Sequence, residues 1–331
     1  CDLVGRVGAG RRSGRVKYAH IAKYVAETPW AILPTKLDEI EAILEFHIGG
    51  GKFTAEELQA RIGDGGSRAD VSRSGAVAVI PVQGVIAHRM GGMSEMSGGV
   101  STERVTAMLK QALADPNVGS ILLDVNSPGG TVAGVTELAA EIRAGVARKP
   151  ITAHVNAMAA SAAYWAISGA SEIVVTPSGD VGSIGVITAH VDASEAEAKE
   201  GLKRTVISAG KYKAEGAGPL TEEAHAAIQS RVDDFYALMT ADIAKGRGVP
   251  LSEVRGGFGE GRLVGAKEAV RLKMADRIAT MDDTLQRLIN GRGPSIGPRA
   301  DAEPVAVEAA AEPVATMVAS EADRARRMRL A

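Results

Sequence analysis

The sequence has one cysteine, Cys1, so no disulfide within a single chain is possible and nothing ties it to an oxidising compartment. It lacks an HExxH pattern and any Cys/His cluster, so no metal site is expected, and no cofactor either. Neither charge is in excess: 38 Lys+Arg against 40 Asp+Glu gives a formal net charge of −2. Wrapping nucleic acid needs a basic surplus, so that class of partner is excluded. Long apolar runs are also missing. The longest uncharged stretch, 151–171, follows Pro150 and contains His154, Asn156 and Ser161, which suits buried core and not a membrane span. Aromatics are only 3% of the chain. Glycine, by contrast, reaches 39 of 331 residues, well above the ~7% of average proteins. Glycine turns let backbones approach closely and can aim N–H groups at developing negative charge.

What is present reads as a globular chain in three parts. Residues 1–74 look like a basic leader, residues 1–25, followed by a helical extension. Its helices start at Pro34, with the series Leu37, Ile40, Ile43 and Leu44, and at Thr54, where Glu57 completes a capping box. The second helix is expected to end near Gly63, and Asp64–Ser74 reads as a linker. The chain opens on Cys1 rather than Met, for which a truncated reading frame is the expectation. Arg6, Arg11, Arg12, Arg15 and Lys17 are followed by no apolar segment of a secretory signal. Residues 291–331, rich in Ala, Pro and Glu and ending in an Arg cluster, read as a flexible tail.

Between them, residues 75–290 alternate strand-like and helix-like segments. Strands are expected at Ala76–Val82, Ser120–Val125, Ile151–Val155, Ile173–Thr176, Ser183–Val191 and Thr205–Ser208. Helical stripes run through Val105, Met108, Leu109, Ala112 and Leu113, and through Val135, Leu138, Ala139, Ile142 and Val146. A long helix is expected over Thr221–Lys245. Apolar strands alternating with helices predict an α/β fold with a parallel sheet.

Three loops carry residues with chemical potential. Asn126-Ser-Pro-Gly-Gly130 follows one strand, and its glycines can present backbone N–H groups; a plain strand-to-helix turn would use the same residues. Met158-Ala-Ala-Ser161-Ala-Ala-Tyr164 places a serine at the start of a helix of small residues. Helix-start amides there favour an oxyanion, although serine is also the commonest helix N-cap. Ser208-Ala-Gly-Lys211-Tyr-Lys213 is a loop with two lysines, a residue type usually solvated. Gly182-Ser183-Ile-Gly185 lies between the last two.

In that order, SPGG, AASAAY, GSIGV and GKYK together resemble the signal peptide peptidase A family of serine peptidases, which includes phage head-maturation proteases. The resemblance covers about residues 76–290, with Ser161 lying 22 residues before Ser183 and 52 before Lys213. It implies a ClpP/crotonase-type spiral of βαβ units, Ser161 as nucleophile, Lys213 as general base and Ser183 as auxiliary serine. Gly130 and Ala162, with Gly129, are the implied oxyanion donors. Ala162 and Ala163 stand where relatives often have Gly-Gly. Lys211 is a second candidate base. The family also implies a homo-oligomeric ring.

Physical chemistry sets the demand on the base. A free lysine has pKa ~10.4, leaving about 0.1% neutral near pH 7.4, so the amine must be desolvated to accept a proton. A Ser-His-Asp site fits less well, because His190 is four residues from where such a histidine would stand, and His154 reads as a satisfied core residue. The layout around the peptidase segment resembles the phage head-maturation (minor capsid protein C) branch. That implies capsid scaffold or portal proteins as substrates, within the assembling prohead in the host cytoplasm. A signal-peptide-degrading peptidase, a crotonase-like acyl-CoA enzyme and a non-catalytic capsid-assembly protein are the other readings.

Overall fold

A computed structural model of the chain describes residues 19–48, 51, 54, 71–90, 99–199 and 201–297. Helix α1 (Ala19–Glu27), strand β1 (Trp30–Ile32) and helix α2 (Pro34–Ile48) come first. Then follow β2 (Ser72–Ser74), β3 (Val77–Gln83), β4 (Ile86–Ala87), β5 (Val100–Ser101) and α3 (Thr102–Ala114). The middle of the chain supplies β6 (Ser120–Ser127), β7 (Gly129–Thr131) and α4 (Val135–Gly145), then β8 (Ile151–Ala160) and α5 (Ala162–Ile167). Next are β9 (Glu172–Val175), β10 (Asp180–Gly182), α6 (Ser194–Lys199) and the long α7 (Glu222–Arg247). The last elements are α8 (Leu251–Gly257), β11 (Leu263–Gly265), α9 (Ala266–Arg271), β12 (Arg277–Ile278) and α10 (Met281–Ile289).

The larger sheet runs β11-β10-β8-β6-β3-β2, with β9 also beside β8 and β12 beside β9. Its β3–β6, β6–β8, β8–β9 and β8–β10 pairings are all parallel, as the alternating pattern predicts. Side chains alternate across it. Ile80, Ile121, Leu123, Val125, Ala153 and Val155 enter the main core with Leu109 of α3, Leu138 of α4 and Trp165 of α5. Val77 and Leu122 point to the opposite face and meet Leu288 of α10. Burying each of these Val, Leu and Ile side chains contributes about 1.5–3 kcal/mol. Caps set the helix starts: Ser101, Thr221 and Thr280 accept the amides of Arg104, Ala224 and Asp283.

Several expectations need correction. Residues 19–27 are helical and not part of a basic leader. The expected strand Ser183–Val191 reduces to one bridge, at Ile187. Thr205–Ser208 has no strand partner among the described residues, and residues 201–213 are all exposed. The expected helix after Thr54, residues 64–70 of the expected linker and the tail beyond 297 lie outside the described residues, whereas Ser72–Ser74, expected as the end of that linker, pair with β3 as strand β2.

On the α10 face, the apolar lining gives way to a polar pair. Asp124 and His154 are register partners on β6 and β8. His154 is fully buried, with Nδ1 3.1 Å from the Thr284 hydroxyl. That hydroxyl donates to Thr280 O at 2.9 Å, so Nδ1 is the donor to Thr284 and Nε2 has no partner. His154 is therefore only half satisfied. Desolvation pushes its imidazole down to about 4, and burial pushes the Asp124 carboxyl up.

A histidine depressed in this way contributes stability that is complete above its unfolded pKa of ~6.5 and is lost as pH falls toward the folded value. The loss between pH 7 and pH 4.5 is about 2–3 kcal/mol, opposed in part by Asp124, whose shift has the other sign. Urea unfolding at the two pH values checks this. In His154→Gln the pH-dependent loss should shrink by about that amount; an unchanged loss contradicts the assignment.

Candidate active site

Strand β8 changes neighbours part-way along. Thr152–Val155 pair with β9, whereas Met158–Ala160 pair with β10. Its register against β6 jumps at the same place, from Val125↔Val155 to Ser127↔Ala159, so residues 156–158 stand against the single residue Asn126. Ala157 absorbs the swerve with φ 97. The redirected strand ends at Ala160; Ser161 follows with φ 54 and ψ −115, and α5 starts at the next residue. A positive φ in a residue with a Cβ is a strained state that needs surrounding structure to hold it.

The surroundings do hold it. The Ser161 amide donates to Gly182 O at 2.7 Å, and Ser161 O accepts from Trp165 N at 2.9 Å. Its Oγ donates to Gly185 O at 3.3 Å. Ala159, Ala160, Ala162 and Ala163 are all fully buried, so the residues flanking Ser161 on either side carry only methyl side chains. The helix is anchored at its far side: Trp165 Nε1 donates to Asp242 at 2.9 Å, and Asp242 pairs with Arg143 at 2.9 Å. Tyr164 Oη donates to Met274 O at 3.0 Å.

The glycine turn lies alongside. Gly129 has φ 98, and its amide donates to Ser127 Oγ at 3.2 Å. That amide is therefore engaged within the turn. A Cβ on Gly129 would stand 3.0 Å from Ala160 O, so the turn is packed against the residue before Ser161. On Gly130 it would stand 1.8 Å from Ile86 O, so no side chain fits there. Ala162 opens α5, where first-turn amides have no partner within the helix.

Ser183 follows β10 with φ 52, is 5% exposed, and donates its amide to Arg262 O at 2.8 Å. The bond from Ser161 to Gly182 brings it to the same place. The structure thus gathers Ser161, Ser183, the Gly129–Gly130 turn and Ala162.

Lys213 is not gathered with them in the single chain. Its side chain is exposed, whereas a neutral lysine base requires an apolar pocket. The loop around it lies on the surface and exposes Leu202 (59%), Ile207 (94%) and Tyr212 (52%). Lys211 is differently placed. Its ammonium lies 2.5 Å from Tyr212 Oη and 3.3 Å from Glu223, and hydrogen bonds to both raise its pKa and hold it charged. That makes Lys211 the poorer base.

Sequence reasoning missed β1. It passes beside the glycine turn, with Ala31 opposite Gly130. The available signal was an apolar Trp30-Ala-Ile-Leu33 bracketed by Pro29 and Pro34.

Residues 144–293 match the sequence profile of peptidase family S49. The head-tail preconnector protein GP5 of Enterobacteria phage P21 is 31% identical over 238 residues, covering 71% of this chain and 47% of that protein. The capsid assembly protease C of Escherichia phage lambda is 31% identical over 246 residues, 72% of this chain and 56% of that protein. A chloroplastic serine protease SPPA of Arabidopsis thaliana is 26% identical over 206 residues, 61% of this chain and 30% of that protein. The chain therefore spans about half the length of the two phage relatives. Among the described residues, no helix is long and apolar enough to cross a membrane.

Proposed function

Because the chain belongs to peptidase family S49, with the ClpP-like α/β fold of that family, we propose that it is a serine endopeptidase with Ser161 as nucleophile and Lys213 as general base. The observation that carries this reading is the Ser161 turn, where a buried hydroxyl held at φ 54 stands at a strand-to-helix junction beside a glycine turn. Neutral Lys213 takes the hydroxyl proton as Oγ bonds to the scissile carbonyl carbon. The Gly130 and Ala162 amides then receive the oxyanion; one such donor is typically worth ~2.7–4 kcal/mol. Collapse expels the amine, which takes the proton from the Lys213 ammonium, and water later hydrolyses the acyl-serine. Ser183 positions the amine and relays its proton.

The exposed lysine loop gives this scheme a condition. Leu202, Val206, Ile207 and Tyr212 are left exposed in one chain, and a homo-oligomeric ring would cover them and desolvate Lys213 next to a Ser161. The names of the phage relatives support substrates in the assembling capsid, with scaffold and portal proteins as the proposed targets inside the prohead. The division into an extension to residue 74, a peptidase segment to 290 and a tail belongs to the same proposal. Co-expression with a phage scaffold protein tests it. Discrete scaffold fragments that disappear in Ser161→Ala are expected; an intact scaffold in both cases favours a non-catalytic assembly role.

A further inference from the structure

Strand β1 pairs with the glycine turn that packs against the residue before Ser161, as a bound peptide would. It runs antiparallel to β7, with Trp30 opposite Thr131, Ala31 opposite Gly130 and Ile32 opposite Gly129. Val132 N donates to Pro29 O at 3.3 Å and Leu33 N to Pro128 O at 2.9 Å. Antiparallel ladders alternate bonded and non-bonded pairs, so Ala31 and Gly130 are the bonded pair between those two. The Gly130 amide, proposed above as an oxyanion donor, therefore faces the Ala31 carbonyl. Trp30 turns its backbone the other way, exchanging two 2.8 Å bonds with Ile187. Ile187 lies two residues beyond Gly185, the acceptor of the Ser161 hydroxyl. One buried segment thus bridges both backbone edges that flank the nucleophile.

Helix α1 extends the hold to the lysine loop. Lys23 Nζ donates to Val191 O at 2.9 Å and to Gly216 O at 3.3 Å, three residues beyond Lys213. His190 joins the same junction, with Nε2 3.0 Å from Gly218 O and Nδ1 3.6 Å from Glu27. Ala189 N donates to Ala26 O at 2.9 Å.

We infer that residues 19–33 are a built-in substrate mimic that keeps the peptidase latent: β1 fills the peptide slot, and α1 tethers the loop bearing Lys213 on the outside. The inference rests on the serine-peptidase reading and adds regulation and a substrate class to it. The favoured substrate is an extended segment with a bulky apolar residue followed by a small one, as in Trp30-Ala31. Removing the mimic frees the slot and the loop together.

A recognition sequence for a site-specific protease, inserted in the Gly/Ser-rich stretch 64–69, tests this. The full chain folds before it is cut, and the N-terminal fragment is then stripped in mild denaturant. Labelling of Ser161 by a fluorophosphonate and hydrolysis of a Trp-Ala-containing peptide should both rise, about tenfold or more, as the occupied population is released. A synthetic peptide spanning Thr28–Pro34 should restore the low rates competitively. Trp30→Ala in the uncut chain, which removes the buried anchor of β1, should shift both rates in the same direction. A stripped chain that keeps its circular dichroism yet labels no faster overturns the mimic and leaves the peptidase standing. If no form labels at Ser161 or cuts peptide, the peptidase reading falls and the mimic with it.

Discussion

Ser161→Ala should abolish peptide-bond cleavage, lowering kcat by about 10⁴-fold or more, because the remaining oxyanion donors cannot replace a covalent nucleophile. The fold should not suffer. Alanine and serine both carry a Cβ, so the strain at φ 54 is the same for either, and the one side-chain bond lost is the long 3.3 Å contact to Gly185 O. A net hydrogen bond of that kind is worth about 0.5–1.5 kcal/mol at most. The check is casein or peptide hydrolysis beside a thermal melt. Activity within about tenfold of wild type would remove Ser161 from the chemistry, and a collapsed melting temperature would make the kinetic result uninformative about catalysis.

The second large effect concerns the base. Lys213→Ala should lower kcat by about 10³-fold, near the usual contribution of a positioned general base. Lys213→Arg should fail to rescue it, since a guanidinium with pKa above ~12 does not give up its proton. Wild-type rates should climb with pH, as expected for a base that acts only when neutral, and both variants should lose that limb. Lys211→Ala, in contrast, should leave the pH limb in place. Lys211 is already held charged by Tyr212 and Glu223 on the exposed surface. If Lys211→Ala abolishes activity while Lys213→Ala does not, the assignment of the base is reversed.

The sequence was most readable where burial is two-sided and continuous. Ser120–Val125 and Ile151–Val155 are covered by helices on both sides, and on the main-core face that constraint appears directly as residue type, in Ile121, Leu123 and Val125 and in Ile151, Ala153 and Val155. Leu109 and Leu138 betray α3 and α4 through spacing alone. The Ser161 turn was legible for a different reason: small residues crowd it, and only a few side chains allow such close approach. What stayed hidden depends on distant partners. Trp30–Ile32 is too short to show a period, and its meaning comes from Gly129–Thr131, about 100 residues away. Ser183–Val191 looked like a strand, but its backbone bonds go to separate partners, Arg262, Trp30 and Ala26, so one isolated bridge forms instead of a ladder. The half-satisfied His154 owes its one hydrogen bond to Thr284, 130 residues on, which local sequence cannot indicate. The position of Lys213 depends on whatever covers its loop.

The central claim is that the hydroxyl at residue 161 is activated by the amine at 213. The pH dependence of fluorophosphonate labelling, located by peptide mass mapping, measures that coupling directly. The adduct should fall on Ser161, form faster as pH rises, and become about 10³-fold slower and nearly flat with pH in Lys213→Ala. Labelling on another residue, or an identical pH profile in the variant, would contradict it.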